Sequence, residues 1–342
     1  MGNSPGPLSS MRRGGEGVVG KAMVNWILAM DVGGTKQTVA LADGEGQIQV
    51  QQRRPTERES GAEGGIEVLL EMAHEVVAEA GLTLTEVARV GIGFGGPVDV
   101  RTGTVLLSHH VPGWENVPLR AIMEEKLGLP TVVDNDANAG TLGEARFGAG
   151  RGAEDLVYIN IGTGIGGGIM VKGQLVRGVT TTAGEIGHTT VKEDGPLCTC
   201  GKRGCLESIC SGDSIGRRAR EAVTAQPNAG RALVEAAGGQ VGAITSETVF
   251  AVAAQGDALA QALVDETVHY LALAIGNLLN LLNPELVIIG GGLSEVGDIL
   301  FVPLRQAVRE IALEVPYRAA HIVPAELGYE AGILGAVALA LE

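Results

Sequence analysis

Aromatic and basic side chains are scarce in this chain of 342 residues. Phe, Trp and Tyr together make up 3% of it, and 25 Lys and Arg stand against 40 Asp and Glu, for a formal net charge of −15. Because nucleic-acid affinity comes mainly from neutralising phosphates, this balance argues against a nucleic-acid partner. No uninterrupted apolar run reaches the roughly 18 residues that a membrane span needs. We therefore expect a cytoplasmic protein with neither nucleic-acid nor membrane partners.

Glycine, by contrast, is abundant: 53 of 342 residues is about twice its usual share of roughly 7%. Because no collagen period is present, we expect these glycines at turns and close backbone approaches. Hydrophobic residues make up 45% of the chain, enough for a large core. The length allows two domains of roughly 150 residues each.

Strands and helices alternate along most of the chain, which predicts an α/β fold. Residues 1–25 are polar and glycine-rich, and we predict a disordered N-terminal extension there, with Met11 or Met23 as alternative start sites. Strands are expected at 26–32, 37–52, 87–94, 131–133, 156–168 (with a glycine loop) and 286–289, helices at 66–77, 121–127, 213–224, 247–282 and 329–341, and a mobile loop at 226–246.

Three glycine loops each follow a predicted buried strand: DVGGTK at 31–36, NIGTGIGGG at 160–168 and IIGGGLS at 288–294. Glycine lets backbone N–H groups approach a phosphate, although any one loop alone is better explained as a tight turn. Three together favour a nucleotide-phosphate site in a cleft between two lobes, with Asp31 placed to hold Mg²⁺ through water. The predicted cofactor-binding residues are Asp31, Gly33, Gly34, Thr35, Lys36, Gly162, Thr163, Gly164, Gly290, Gly291 and Gly292.

Asp134-Asn135-Asp136 follows the predicted strand at 131–133. Phosphoryl transfer to a hydroxyl needs a base placed to receive its proton, and Asp136 is our candidate. Asn135 would then hydrogen-bond a neighbouring substrate hydroxyl. The alternative is a turn or helix cap, for which Asp and Asn are favoured.

A cluster of His188, Cys198, Cys200 and Cys205 supplies one imidazole and three thiolates, a complete set for a structural Zn²⁺. The fourth cysteine, Cys210, is expected to be an inert core thiol. Zinc ligation would place Glu185 and Glu207 side by side, where both could accept hydrogen bonds from a polyol. His188 could bind zinc through one ring nitrogen and donate to the substrate through the other. The alternative for each glutamate is a solvated surface position.

Together these motifs are similar to those of the ROK (repressor, open reading frame, kinase) family, within the actin-like ATPase superfamily. DVGGTK, GPVD, DNDAN, IGTGIGGG, GEIGH, CTCGKRGCLE and IIGGG occur in the family order from about residue 27 to the C-terminus. The resemblance implies a two-lobed actin-like ATPase (ribonuclease H-like) fold with an interlobe cleft. A small lobe is expected at 26–136, joined by a C-terminal helix at about 325–342, and a large lobe with the zinc cluster at 137–324.

The same resemblance implies a kinase that transfers a phosphoryl group from Mg²⁺–ATP to the 6-hydroxyl of a hexose, with Asp136 as base and a structural Zn²⁺. It also implies a homodimer or homotetramer. Sugar contacts are expected at Gly96, Asn135, Asp136, Glu185, His188 and Glu207.

Glucose is the expected sugar. At 93–97, however, Gly-Phe-Gly-Gly-Pro departs from the G-x-P-G-P of the family's glucokinases. N-acetylmannosamine, or another hexose or N-acetylhexosamine, is therefore an alternative substrate. A sugar-responsive repressor is disfavoured, because the repressors of the family carry an N-terminal DNA-binding domain and about 25 residues precede the first strand here. A non-catalytic sugar sensor is a distant alternative, because it would need neither the phosphate loop DVGGTK nor Asp136.

Overall fold

The computed structural model describes residues 25–108 and 111–342. The predicted disordered extension therefore lies, except for Asn25, outside the described residues. Within them, no helix has both the length and the apolarity to cross a membrane.

The described chain contains strands and helices in alternation, which confirms the α/β class. Its strands are β1 (Trp26–Val32), β2 (Lys36–Ala42), β3 (Ile48–Pro55), β4 (Val87–Phe94), β5 (Val98–Asp99), β6 (Thr104–Val105), β7 (Thr131–Asn135), β8 (Leu156–Ile161), β9 (Ile165–Val171), β10 (Gln174–Leu175), β11 (Leu286–Gly290) and β12 (His321–Pro324). Its α-helices are α1 (Gly61–Glu79), α2 (Leu119–Leu127), α3 (Asp136–Phe147), α4 (Glu207–Cys210), α5 (Gly212–Ala225), α6 (Arg231–Ala236), α7 (Ser246–Ala253), α8 (Ala258–Leu282), α9 (Asp298–Ile311), α10 (Glu314–Ala319) and α11 (Ala331–Leu341).

Two five-stranded sheets organise these elements. The first has the order β3-β2-β1-β4-β7, and the second has the order β10-β9-β8-β11-β12. In each, the first three strands pair antiparallel and the last three pair parallel. Central strands such as β1 and β8 are nearly continuous apolar runs because both of their faces are covered.

Helices α3 and α11 lie between the two sheets. Apolar side chains of α11 pack on β1 and β2 through Ile333 and Val337, and on the β8 side through Ala338 and Leu339. The helices approach closely, since a Cβ built at Gly335 would lie 2.3 Å from the carbonyl oxygen of Ala139. The outer faces of the sheets are covered by α1 and α2 on the first and by a larger helical layer on the second.

Two sequence-based expectations need correction. The predicted helix 247–282 is two helices, because the chain turns at Gly256 with a φ of 87° and Asp257 then caps α8 through the backbone N–H of Ala260. The predicted loop 226–246 contains α6 and buries Leu233 and Ile244 in the core. The glycines of this segment and Pro227 indicated a loop, although Leu233 and Ile244 anchor it in the core.

The proposed lobes follow the two sheets: strands of the first lie within 26–136 and those of the second within 137–324. The C-terminal helix α11 contacts β1 and β4 of the first sheet. The lobe boundaries themselves stay a proposal.

Candidate active site

Asn135 and Asp136 lie where β7 ends and α3 begins. Asn135 caps the helix, its side-chain oxygen accepting hydrogen bonds from the backbone N–H groups of Ala137 at 2.9 Å and Asn138 at 3.2 Å. The helix-cap alternative is therefore correct for Asn135. The cap does not exclude a site role, because the Asn135 Nδ2 donates to the Gly96 carbonyl at 3.2 Å and to Asp136 Oδ1 at 3.0 Å. One side chain thus joins three of the predicted sugar-contact residues.

The half-buried carboxyls of Asp31 and Asp136 lie near each other at this end of the first sheet. Burial, together with the neighbouring Asp31 carboxyl, raises the pKa of Asp136 to about 7. Burial also raises the pKa of Asp31 above its usual range, although Lys36 lowers it in part. A cation between them would relieve this repulsion, and carboxylate oxygens are ligands that Mg²⁺ prefers.

The first turn of α11 packs directly against Asp31. A Cβ built at Gly332 would lie 2.8 Å from the carboxyl carbon of Asp31, so the side chain of even an alanine would displace it. The predicted C-terminal helix therefore has a place in the site that its apolar sequence alone did not indicate.

The predicted zinc ligands come together in one cluster. The candidate ligand atoms of His188, Cys198, Cys200 and Cys205 all lie within 4.8 Å of one another. Cys200 Sγ is 3.7 Å from Cys205 Sγ, and Cys198 Sγ is 3.6 Å from His188 Nδ1. Zinc–sulfur bonds of about 2.3 Å in a tetrahedron separate the sulfurs by roughly 3.8 Å, so the cluster is compatible with structural zinc.

Cys210 lies outside this cluster and is fully buried. Burial raises the pKa of its thiol to about 12, and the sulfur contacts the carbonyl oxygen of Thr267 at 3.6 Å. These observations agree with an inert core thiol.

Both predicted glutamates lie beside the cluster. His188 directs Nδ1 toward Cys198 and Nε2 toward Glu185, whose carboxylate oxygen is 4.0 Å away. Glu207 accepts a hydrogen bond from the backbone N–H of Ile165 at 2.9 Å and one from the Thr199 hydroxyl at 3.3 Å. Glu207 is therefore anchored between the metal cluster and the second glycine loop, whereas Glu185 is exposed.

A pocket of about 370 Å³, large enough for a nucleotide, is lined by two of the three glycine loops. Gly162 and Thr163 belong to the β8–β9 turn, and Gly292 follows β11. The first loop, which contains Gly33, Gly34 and Thr35, forms the β1–β2 turn; Lys36 Nζ lies 6.0 Å from the ring of Tyr329, which also lines this pocket. The carbonyl of Gly33 accepts a hydrogen bond from the Thr56 hydroxyl at 2.7 Å.

Three of the predicted glycines have other surroundings. Gly290 lies inside β11, where a Cβ would meet the Tyr158 hydroxyl at 2.5 Å. Gly291 turns the chain with a φ of 77°. Gly164 leaves space for the Glu207 carboxylate, which would lie 2.6 Å from a Cβ there. These three glycines therefore allow close packing or a turn of the chain within the loops.

Sequence reasoning missed much of both pockets. The nucleotide-sized pocket is also lined by the N-terminal ends of α5 and α7, through Gly212, Asp213, Gly216, Arg220, Thr245, Ser246 and Glu247. A separate pocket beside Asn135 and Glu185, which we call the candidate sugar pocket, is lined by Pro97, Asn138, Gly166, Gly167, Thr181, Thr182, Ala183 and Gly184. The helix-cap residues Ser211 and Thr245 were the available signal for the first group, whereas the second group carried none.

Two sheets of one strand order, with glycine loops at corresponding strand ends, define an α/β protein of the actin-like ATPase class, the fold of the ROK sugar kinases that this structure resembles. The chain belongs to the ROK family, whose family model matches residues 27–342.

Similar proteins include a glucokinase of Halalkalibacterium halodurans, 39% identical over 91% of this chain and 93% of that protein. An N-acetylmannosamine kinase of Shigella flexneri is 33% identical over 92% of this chain and 98% of its own length. Among solved structures, a ROK family glucokinase from Streptomyces griseus in complex with glucose and AMPPNP is similar at a TM-score of 0.79. It is 36% identical, covering 92% of this chain and 99% of that one.

Proposed function

We propose that this chain is an ATP-dependent hexose kinase that phosphorylates the 6-hydroxyl of glucose. The observation that carries the proposal is Asp136, whose pKa is raised to about 7 beside residues of the candidate sugar pocket. A general base is most effective when its pKa lies near the working pH. Glucokinases among the similar proteins, one of them solved with glucose and an ATP analogue, support the substrate and the donor.

In this mechanism Asp136 accepts the proton of the 6-hydroxyl as that oxygen attacks the γ-phosphoryl group. Asn135 orients Asp136 through the 3.0 Å hydrogen bond and is itself fixed as the cap of α3. Asp31, beside Asp136, would hold Mg²⁺ through water, and the ion would offset charge on the phosphoryl oxygens. The pair of neighbouring, half-buried carboxyls fits such a cation.

The remaining hydroxyls of the sugar would be held from the other side of the site. Glu185 and the Nε2 atom of His188 lie within 4.0 Å of each other and are placed to take adjacent hydroxyls. Glu207 would contribute from the metal cluster. A structural Zn²⁺ on His188, Cys198, Cys200 and Cys205 would supply no chemistry, because its four protein ligands leave no open position.

The nucleotide would occupy the pocket lined by Gly162, Thr163 and Gly292. Backbone N–H groups of the glycine turns would contact its phosphates, and the N-terminal ends of α5 and α7 favour negative charge there. Lys36 of the first loop is the one basic residue among the predicted cofactor-binding residues. Its Nζ atom lies 6.0 Å from the ring of Tyr329, which lines this pocket.

The test is a coupled ADP-release assay with Mg²⁺–ATP against glucose, mannose, fructose, allose, N-acetylglucosamine and N-acetylmannosamine. We expect the highest kcat/KM with glucose. Absence of turnover with every sugar would overturn the kinase proposal.

N-acetylmannosamine is the second candidate substrate. The Gly95-Gly96 pair favours it, as does the similar kinase named for that sugar. A dominant kcat/KM with N-acetylmannosamine in the same assay would select it over glucose. A homodimer or homotetramer and a cytoplasmic location are also part of our proposal, testable by light scattering and cell fractionation.

A further inference from the structure

Residues 176–184, which we call the crossing segment, connect the second sheet to the candidate sugar pocket. The segment follows β10, and the backbone N–H of Val176 still bonds to Ile169 of β9 at 2.8 Å. It ends immediately before Glu185, a predicted sugar contact.

Two side chains of the crossing segment contact strands on the side of the first sheet. The Arg177 Nε atom donates to the buried Asp134 of β7 at 2.9 Å. The Thr181 hydroxyl donates to the carbonyl oxygen of Val98 in β5 at 2.7 Å. Both partners belong to the part of the chain that also carries Gly96 and Asn135.

Thr181 has a backbone conformation that its residue type disfavours. Its φ is 62°, in the left-handed region, where a β-branched residue is an outlier. Such strain persists only where surrounding contacts enforce it. Thr181 is buried, and its conformation is held by the bond from its hydroxyl to Val98 together with the backbone bonds of the turn, from Thr181 to Gly178 at 3.4 Å and from Ala183 to Arg177 at 3.0 Å.

The bond to Val98 fixes two walls of one pocket relative to each other. On one wall lie Pro97, adjacent to Val98, and Asn135; on the other lie Thr181 and Glu185. Gly96, whose carbonyl accepts a hydrogen bond from Asn135, precedes Pro97. Loss of the bond would leave the Arg177–Asp134 contact as the remaining side-chain bond described here and would loosen the part of the crossing segment nearest to Glu185.

We propose that Thr181 is a positioning residue for the sugar: through Val98 it holds the crossing segment against the strands that carry Gly96, Asn135 and Asp136. This inference rests on the proposed hexose kinase function. It assigns Thr181 a role in sugar affinity and none in nucleotide binding, because the nucleotide pocket is built from other residues.

Thr181→Val tests the inference, because valine keeps the β-branched shape and removes only the hydroxyl. We expect the glucose KM, and the glucose Kd measured by calorimetry without nucleotide, to rise roughly threefold to tenfold, the factor expected for one lost hydrogen bond. The ATP KM should stay within about twofold of wild type. Thr181→Ser, which keeps a hydroxyl, should restore the glucose values, and Thr85→Val, at an exposed position that lines neither pocket, is the matched control.

An unchanged glucose Kd in Thr181→Val, or equal rises in the glucose and ATP KM values, would overturn the inference. If Thr181→Val fails to fold, Thr181→Gly removes the hydroxyl without the conformational strain, and the same rise in glucose Kd is expected. Failure of the proposed function would look different, since wild type itself would then neither turn over nor bind glucose. A wild type that prefers another sugar of the panel is tested with that sugar, with the same expected outcomes.

Discussion

The two five-stranded sheets share one topology but not one role. In each, a glycine turn joins the first two strands in chain order: β1 to β2 through Gly33 and Gly34, and β8 to β9 through Gly162 to Gly164. In each, the last strand is followed by a helix that packs between the sheets, α3 after β7 and α11 after β12. The same arrangement of five strands, a glycine turn and a helix between the sheets therefore occurs in both halves of the molecule.

The halves differ in the charge at their first glycine turn. Asp31 precedes the turn of the first half, whereas Asn160 has the corresponding place in the second. The first half therefore carries the carboxyl pair of Asp31 and Asp136, and the second half meets the proposed phosphates with a neutral amide. A carboxylate in both turns would repel the nucleotide that the turns are proposed to bind.

They differ again in the connection to the fourth strand of each sheet. In the first half, residues 56–86 carry α1; in the second, residues 176–285 carry the crossing segment, the Cys/His cluster and α4 to α8. The shared frame therefore supplies the loops, while the longer connection supplies three of the six proposed sugar contacts, Glu185, His188 and Glu207.

Asp136→Asn should have the largest effect, because it removes the proposed base of the first half. We expect kcat to fall about 10²- to 10⁴-fold with the glucose Kd nearly unchanged. The folded protein holds the Asp136 proton more tightly than the unfolded chain, since its pKa is raised from 3.8 to about 7. Stability from the protonated carboxyl is therefore lost as the pH rises from 3.8 to about 7, so the Tm of Asp136→Asn at pH 8 should exceed that of wild type.

A coupled assay and calorimetry check both parts, with the surface variant Asp265→Asn as control. Turnover of Asp136→Asn within tenfold of wild type would remove Asp136 from the mechanism.

Cys200→Ser should have the second-largest effect. It removes a ligand from the Cys/His cluster, which lies in the second half of the molecule. We expect loss of bound zinc and a Tm lower by roughly 10 °C or more, because zinc affinity is coupled to folding. Activity should fall as well, since Glu207 is anchored beside the cluster. Metal analysis with thermal unfolding measures this, and Cys210→Ala should keep its zinc. A stable, active Cys200→Ser protein without zinc would contradict the structural role.

Gly332→Ala probes the contact of α11 with the first half. A Cβ at this position would lie 2.8 Å from the Asp31 carboxyl carbon, and misplacement of a catalytic group by about 1 Å costs up to about 100-fold in rate. We expect kcat to fall about tenfold to 100-fold with little change in the glucose Kd. Gly242→Ala, where a Cβ has open space, is the control. Wild-type kcat in Gly332→Ala would show that Asp31 tolerates displacement.

The smallest expected effect is the change of kcat/KM of the wild-type protein with pH. Because Asp136 must be ionised to accept a proton and its pKa is raised to about 7, kcat/KM should fall about tenfold per pH unit below pH 7 and level off above it. Initial rates from pH 5.5 to 9 measure this, and residual activity of Asp136→Asn should lack the break. A flat wild-type profile through pH 7 would argue against Asp136 as base.

Local chemistry was readable from the sequence. Cys198, Cys200 and Cys205 are close in the chain, so few conformations separate their sulfurs, and the structure brings them together with His188 as expected. Asn135 was readable as a cap because capping depends only on the next three residues. Helix α6 was missed because burial of Leu233 depends on helices distant in sequence.

The sequence by itself determined the α/β class, the glycine turns and the metal-ligand set, because each depends on neighbouring residues and on residue type, and it offered the cap at Asn135 as an alternative. Tertiary structure alone decided that the half-buried carboxyls of Asp31 and Asp136 lie near each other, in surroundings that raise the pKa of both. It also decided that Gly332 abuts Asp31 and that Thr181 reaches Val98. These contacts join segments far apart in the chain, and burial, unlike local propensity, exists only after the two sheets have packed around α3 and α11.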